Sequence, residues 1–116
     1  MKGDNIFERL VFIAVETVSI VEALPHTPTT RHIGQQLVRS ATSGGANYQE
    51  ARGAESRNDF VHKLGISLKE TRETHYWLRL LDGLGLGAAS RLQRLLLETT
   101  ELSKILARSV RTAKNT

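Results

Sequence analysis

Apolar side chains recur every three or four positions along almost the whole chain, and no segment alternates apolar and polar residues in the period of two that a half-buried strand requires. That pattern confines the chain to helix packing. The only two prolines, Pro25 and Pro28, stand together in LPHTPTTR, where each ends or begins a helix better than it continues one. The first break therefore falls there. It separates a helix over residues 5–24 from a second over residues 30–52, for which Thr30 is the expected cap. Gly53 closes the second helix. Ser56, with Asp59 three positions on, opens a third over 57–81, and DGLGLG releases the chain into a fourth over 88–112. Four helices joined by three short connections predict an all-α, antiparallel up-down-up-down four-helix bundle, one domain spanning residues 1–116.

Two segments say more about packing than periodicity alone. In the first helix, Ile6, Leu10, Ile13, Thr17, Ile20 and Leu24 form one row and Phe7, Val11, Ala14, Val18 and Val21 a second beside it, while Leu10–Val15 is apolar all round. Such a helix needs cover on more sides than its neighbours in one bundle supply, which predicts association of several copies. The second helix contains Ser40-Ala-Thr-Ser-Gly44-Gly45-Ala46. Paired glycines cost about 1 kcal/mol each inside a helix. Close approach of another helix backbone, or a bend, is the expected compensation; the alternative is a loop that splits the segment in two.

With 16 Lys+Arg against 12 Asp+Glu the net charge is +4, and residues 1–101 hold all twelve acids and twelve of the bases. The excess therefore lies entirely in Lys104, Arg108, Arg111 and Lys114. The first three follow i, i+4, i+7 spacing and line one stripe, as a surface tracking a phosphate backbone requires, and Arg91 and Arg94 are expected to extend it. The alternative is that these cations complement the helix dipole and aid solubility. No aromatic residue lies in the tail, so binding is expected to be electrostatic and largely indifferent to sequence, without base stacking. Cysteine is absent, which excludes disulfides and thiolate metal sites and suits a cytoplasmic location. Asp4, Glu8, Arg9 and Glu16 interrupt the amino-terminal apolar run, so it reads as neither a leader nor a membrane span.

Enzyme-like signals are weak. Gly83, Gly85 and Gly87 follow no strand and lack the lysine of a phosphate loop, and Glu-x-x-His, needed for a carboxylate-bridged metal pair, does not occur. Arg57 and His62 resemble the R-x4-H signature of the HEPN ribonucleases, which would make His62 a general base and Arg57 a phosphate clamp. A stronger constellation is structural: Arg39, Asn47, Glu50, Glu70, Glu73 and Trp77 are expected to form a polar network between the second and third helices, with Arg52 and Arg72 as further partners. The alternative is an exposed row of ion pairs such as Glu73 with Lys69.

The blocks Ala46-Asn47-(x)2-Glu50-Ala51 and Ile66-Ser67-Leu68-(x)-Glu70-(x)2-Glu73-(x)3-Trp77-Leu78, joined by Ser56 and Phe60, resemble the four-helix-bundle proteins encoded in intervening sequences of 23S ribosomal RNA genes. The resemblance spans residues 5–110, and relatives often carry a proline where this chain has Gly44-Gly45. It implies a homopentameric ring or barrel and assigns no catalytic residues, cofactor or metal. At the level of fold the bundle is similar to the accessory variability protein of diversity-generating retroelements, a basic pentamer that binds nucleic acid and a reverse transcriptase. The resulting expectation is a non-enzymatic, cytoplasmic, oligomeric scaffold that binds RNA or DNA. Its implied partners are further copies of itself and the reverse-transcriptase or ribosomal RNA machinery that relatives accompany, with no membrane. A ribonuclease using Arg57 and His62, and a pure protein-protein adaptor, stay open as alternatives.

Overall fold

The computed structural model describes residues 3–116. They form four helices and, among the described residues, no strand: α1 Asp4–Glu22, α2 Pro28–Arg52, α3 Arg57–Gly83 and α4 Ala89–Lys114. Each helix packs on the next in the chain and α4 closes back on α1, so sequence neighbours are spatial neighbours in an antiparallel bundle 46 × 22 × 21 Å. The α1–α4 seam is much the thinnest of the four.

Local chemistry sets the ends. The cap of α2 is Thr27, not Thr30: its hydroxyl accepts the Thr30 backbone N–H at 3.1 Å, and Thr30 Oγ1 accepts the Thr27 N–H at 3.0 Å. Two threonines thus build a reciprocal capping box, and Pro28 fits the first turn, whose N–H groups need no helical partner. Ser56 caps α3 by accepting the Asp59 N–H at 3.1 Å. In DGLGLG, Gly85 and Gly87 have φ of +70° and +83°, backbone that a side chain would strain.

α2 runs unbroken through Gly44-Gly45, and both glycines sit where neighbouring helices come close. A Cβ on Gly44 would lie 3.2 Å from Thr71 Oγ1 and 3.9 Å from the Ser67 carbonyl oxygen of α3. Ser67 Oγ uses the proximity to donate to the Gly44 carbonyl at 2.7 Å. On the other side of α2, a Cβ on Gly45 would stand 3.5 Å from Leu10 Cβ. Close packing, not a loop, accompanies the low helix propensity.

The core is mainly leucine, with Leu37, Leu78, Leu81, Leu102 and Leu106 fully buried. Buried hydroxyls lie among them, and most return a bond to their own helix, as Thr71 does to the Ser67 carbonyl and Thr99 to that of Leu95. α1 keeps its wide apolar surface partly uncovered: Val15 is 60% and Val11 37% exposed. Among the described residues no helix is long and apolar enough to cross a membrane.

Candidate nucleic-acid interface

The basic residues divide into two groups according to whether a carboxylate answers them. Around α1 and α2 most are answered, exposed Arg31 excepted. Arg9 forks onto Glu98 at 2.8 and 3.0 Å and reaches Glu101 at 3.0 Å, while Arg91 pairs with Glu16 at 3.2 Å. Arg52 pairs with Asp4, and Lys63 meets Glu50 at 3.4 Å. Arg39 pairs with both Glu70 and Glu73. Along the outer side of α3 and α4, by contrast, Arg72, Arg79, Lys104, Arg108 and Arg111 make no ion pair among the described residues.

These unanswered cations converge. Arg72 of α3 lines a shallow cleft of about 290 Å³ together with Lys104, Arg108 and Arg111 of α4, and the remaining walls are Ser103 and Ala107. No acidic side chain lines it. Since α3 and α4 run antiparallel, the row from Arg72 to Arg79 and the row from Lys104 to Arg111 leave their junction in opposite directions. Each advances seven residues, about 10 Å, giving a basic track roughly 20 Å long. Neighbouring acids are occupied elsewhere: Glu101 by Arg9, and Asp82 by the Gln93 amide at 3.2 Å.

Arg91 and Arg94 do not extend this track. Thirteen residues at 100° each put Arg91 about 140° around the helix from Lys104, and both arginines face α1. There Arg91 holds Glu16, and the Arg94 guanidinium lies 4.8 Å from the centroid of the Phe12 ring. Lys114 is exposed at the end of α4, one turn beyond Arg111. Arg79 is the residue that sequence reasoning missed; Arg72, expected as a partner of the α2–α3 network, lines the α4 cleft instead, and Arg52, expected there too, pairs with Asp4. The seven-residue spacing of Arg72 and Arg79 was visible, but which shoulder of α3 lies against α4 was not.

The polar network between α2 and α3 is smaller than expected. Arg39 donates to Glu70 at 2.9 Å and to Glu73, and the Trp77 indole donates to Glu73 at 3.0 Å. Trp77 in turn makes edge contacts with His32 at 5.9 Å and Tyr76 at 5.0 Å. Asn47 lies outside this network, spending its amide on Ser43 of its own helix at 2.9 and 3.0 Å. Glu50 also lies outside, since eleven residues, about 16 Å of helix, separate it from Arg39, and Lys63 takes it instead. Glu70 is 5% exposed, and Arg39 is its only ion-pair partner among the described residues.

Glu73, Glu98 and His75, each partly buried, make stability fall with acid. The Trp77 hydrogen bond, and then Arg39, hold the Glu73 carboxyl below its ordinary 4.5, and the Arg9 fork does the same for Glu98. Burial, aided by the Arg79 cation, keeps the His75 imidazole below its ordinary 6.5, with Nδ1 2.8 Å from Thr99 Oγ1. In each case the unfolded chain binds the proton more readily. The His75 contribution is complete above pH 6.5 and declines as pH falls through that value, and those of Glu73 and Glu98 decline below 4.5. Denaturation midpoints measured against pH should therefore fall in two stages, and His75→Gln should remove the upper one. A midpoint that stays flat from neutrality to pH 4.5 would contradict these environments.

Arg57 and His62 are not brought together within one chain. Five residues turn them about 140° apart, Arg57 donates to the Ala113 carbonyl at 3.4 Å, and His62 is exposed. Among the described residues no cluster of three or more His, Asp or Glu side chains could hold a metal ion.

The family model of the 23S rRNA-intervening sequence protein matches residues 5–108. The fold is similar to the crystal structure of a protein of unknown function from the S23 ribosomal protein family of Bacteroides thetaiotaomicron VPI-5482. That match has a TM-score of 0.85 and 34% identity, and covers 96% of this chain and 99% of that one. No functionally curated protein matches the chain. Its bundle, its sequence blocks and the extent of these matches agree: the chain belongs to the 23S rRNA-intervening sequence protein family.

Proposed function

We propose that the protein is a non-enzymatic, homo-oligomeric scaffold that binds RNA or DNA through phosphate contacts on the α3/α4 face. The observation that carries the reading is the sorting of charge. Most cations on the α1 and α2 seams are paired with carboxylates, whereas Arg72, Lys104, Arg108 and Arg111 crowd one cleft with no acid in its lining. Gathering like charges is unfavourable for the isolated bundle and holds counterions, which a polyanion releases on binding. Solubility alone would be served as well by dispersed charge.

Assembly fits the same arrangement. Val11 and Val15 leave apolar surface on α1, and α1 lies across the bundle from α3, so copies joined through α1 keep the basic track open to solvent. A ring or barrel of five, as the family resemblance implies, would present five such tracks and multiply a modest single-site affinity. The setting proposed is cytoplasmic, beside ribosomal RNA or a reverse transcriptase.

Light scattering of the purified chain, alone and with a short generic RNA, tests both parts. The expected result is a multi-chain mass that takes up RNA at about 50 mM salt and releases it at several hundred millimolar. Failure to take up RNA or DNA at low salt would overturn the binding reading, and a monomer mass would overturn the assembly.

A further inference from the structure

We propose that the α3 face also reads unpaired bases: Tyr76 is a stacking platform for a nucleobase of a single-stranded segment whose phosphates lie on Arg72 and Arg79. This inference rests on the nucleic-acid reading above and narrows its ligand to single-stranded RNA or DNA.

Tyr76 is 59% exposed, the most solvent-open of the Phe, Tyr and Trp rings among the described residues, so the core does not account for it. It follows Arg72 by four residues and precedes Arg79 by three, which puts all three on one exposed face of α3. The ring is also held in place. It meets Trp77 in an edge contact, with centroids 5.0 Å apart and planes at 75°, and Trp77 is fixed by its hydrogen bond to Glu73. With one neighbouring ring and this much exposure, at least one face of Tyr76 stays open. The adjacent carboxylate does not repel a phosphate strongly, because Glu73 is paired with Arg39. Base faces are buried inside a duplex and available in a single strand, so an open ring between two unpaired arginines favours the single strand.

The test is fluorescence anisotropy with three labelled ligands: an oligouridylate of about 12 nucleotides, an abasic strand of equal charge, and a duplex of equal length. Each is titrated with the unaltered protein, Tyr76→Ala, Tyr76→Phe and Arg72→Ala. Tyr76→Ala is expected to weaken binding of the oligouridylate about five- to tenfold and to leave the other two ligands within about twofold, while Tyr76→Phe retains binding. Trp77, the only tryptophan, should change its emission with the oligouridylate and not with the abasic strand. If Tyr76→Ala binds oligouridylate like the unaltered protein while Arg72→Ala weakens all three ligands, the stacking proposal falls and the phosphate reading stands. If the unaltered protein binds none of the three, both fall.

Discussion

Replacing Arg72, Lys104 and Arg108 together by glutamate is expected to weaken nucleic-acid binding by at least about a hundredfold at low salt and to leave the fold intact. All three side chains are exposed and none makes an ion pair among the described residues, so no buried carboxylate is orphaned by the change. The expected loss is large because three attractive charges become three repulsive ones in a single cleft. Salt dependence supplies a second readout. If the four cleft cations each neutralise one phosphate of a single strand, log K should fall with log salt at a slope near about −3. Raising salt from about 50 to about 200 mM then costs roughly fiftyfold. Each cation removed should flatten the slope by about 0.7. Arg31→Glu makes the same kind of charge change on exposed α2 and should shift affinity by no more than about twofold. Equal losses in Arg31→Glu and Arg72→Glu would mean that net charge, not the cleft, governs binding.

The second large effect concerns the fold. Gly44→Leu should destabilise the bundle by about 3 kcal/mol even though leucine is the better helix former by close to 1 kcal/mol. The reason is distance: the first side-chain carbon alone would sit 3.2 Å from Thr71 Oγ1, and the rest of the leucine would have to enter the α2–α3 interface. The new side chain would also press on the Ser67 hydrogen bond to the Gly44 carbonyl. Gly45→Ala is the contrasting case, because its Cβ would meet Leu10 at an ordinary 3.5 Å. There the propensity gain should dominate and stabilise the protein by about 0.5–1 kcal/mol. Chemical denaturation of the two variants checks the pair. If Gly44→Leu were tolerated as well as Gly45→Ala, the close approach of α2 and α3 would be wrong.

Local signals carried most of the fold. Leucine spacing, Ser56, the Pro25–Pro28 break and the glycine loop each act within a few residues, so the four helices were legible from the chain alone. The one misplaced cap shows the limit of that information. Thr27 and Thr30 are equally good capping residues, and only the reciprocal bonds around Pro28 settle which of them starts α2. Gly44-Gly45 was readable as a site of close approach, yet nothing in the sequence named Thr71 on one side and Leu10 on the other.

The candidate site was less legible, for a related reason. Periodicity tells which side of a helix faces the core; it does not tell which neighbour lies on each shoulder. Lys104, Arg108 and Arg111 emerged correctly as one stripe because their spacing alone defines it. Extending that stripe to Arg91 and Arg94 ignored how far the helix turns over ten or more residues, and those two serve the α1 seam. Asn47 and Glu50 share composition with the Arg39 network but not its level along α2. Arg72, Arg79 and Tyr76 needed the α3–α4 packing before their common face could be seen beside the α4 cations.

The most direct test is to cross-link a photoreactive single-stranded RNA to the assembled protein at low salt and identify the attached peptides by mass spectrometry. The account predicts cross-links confined to the segments 69–79 of α3 and 104–111 of α4, and lost as salt rises. Cross-links on α1 or on the amino-terminal half of α2, or none on α3 and α4, would contradict it.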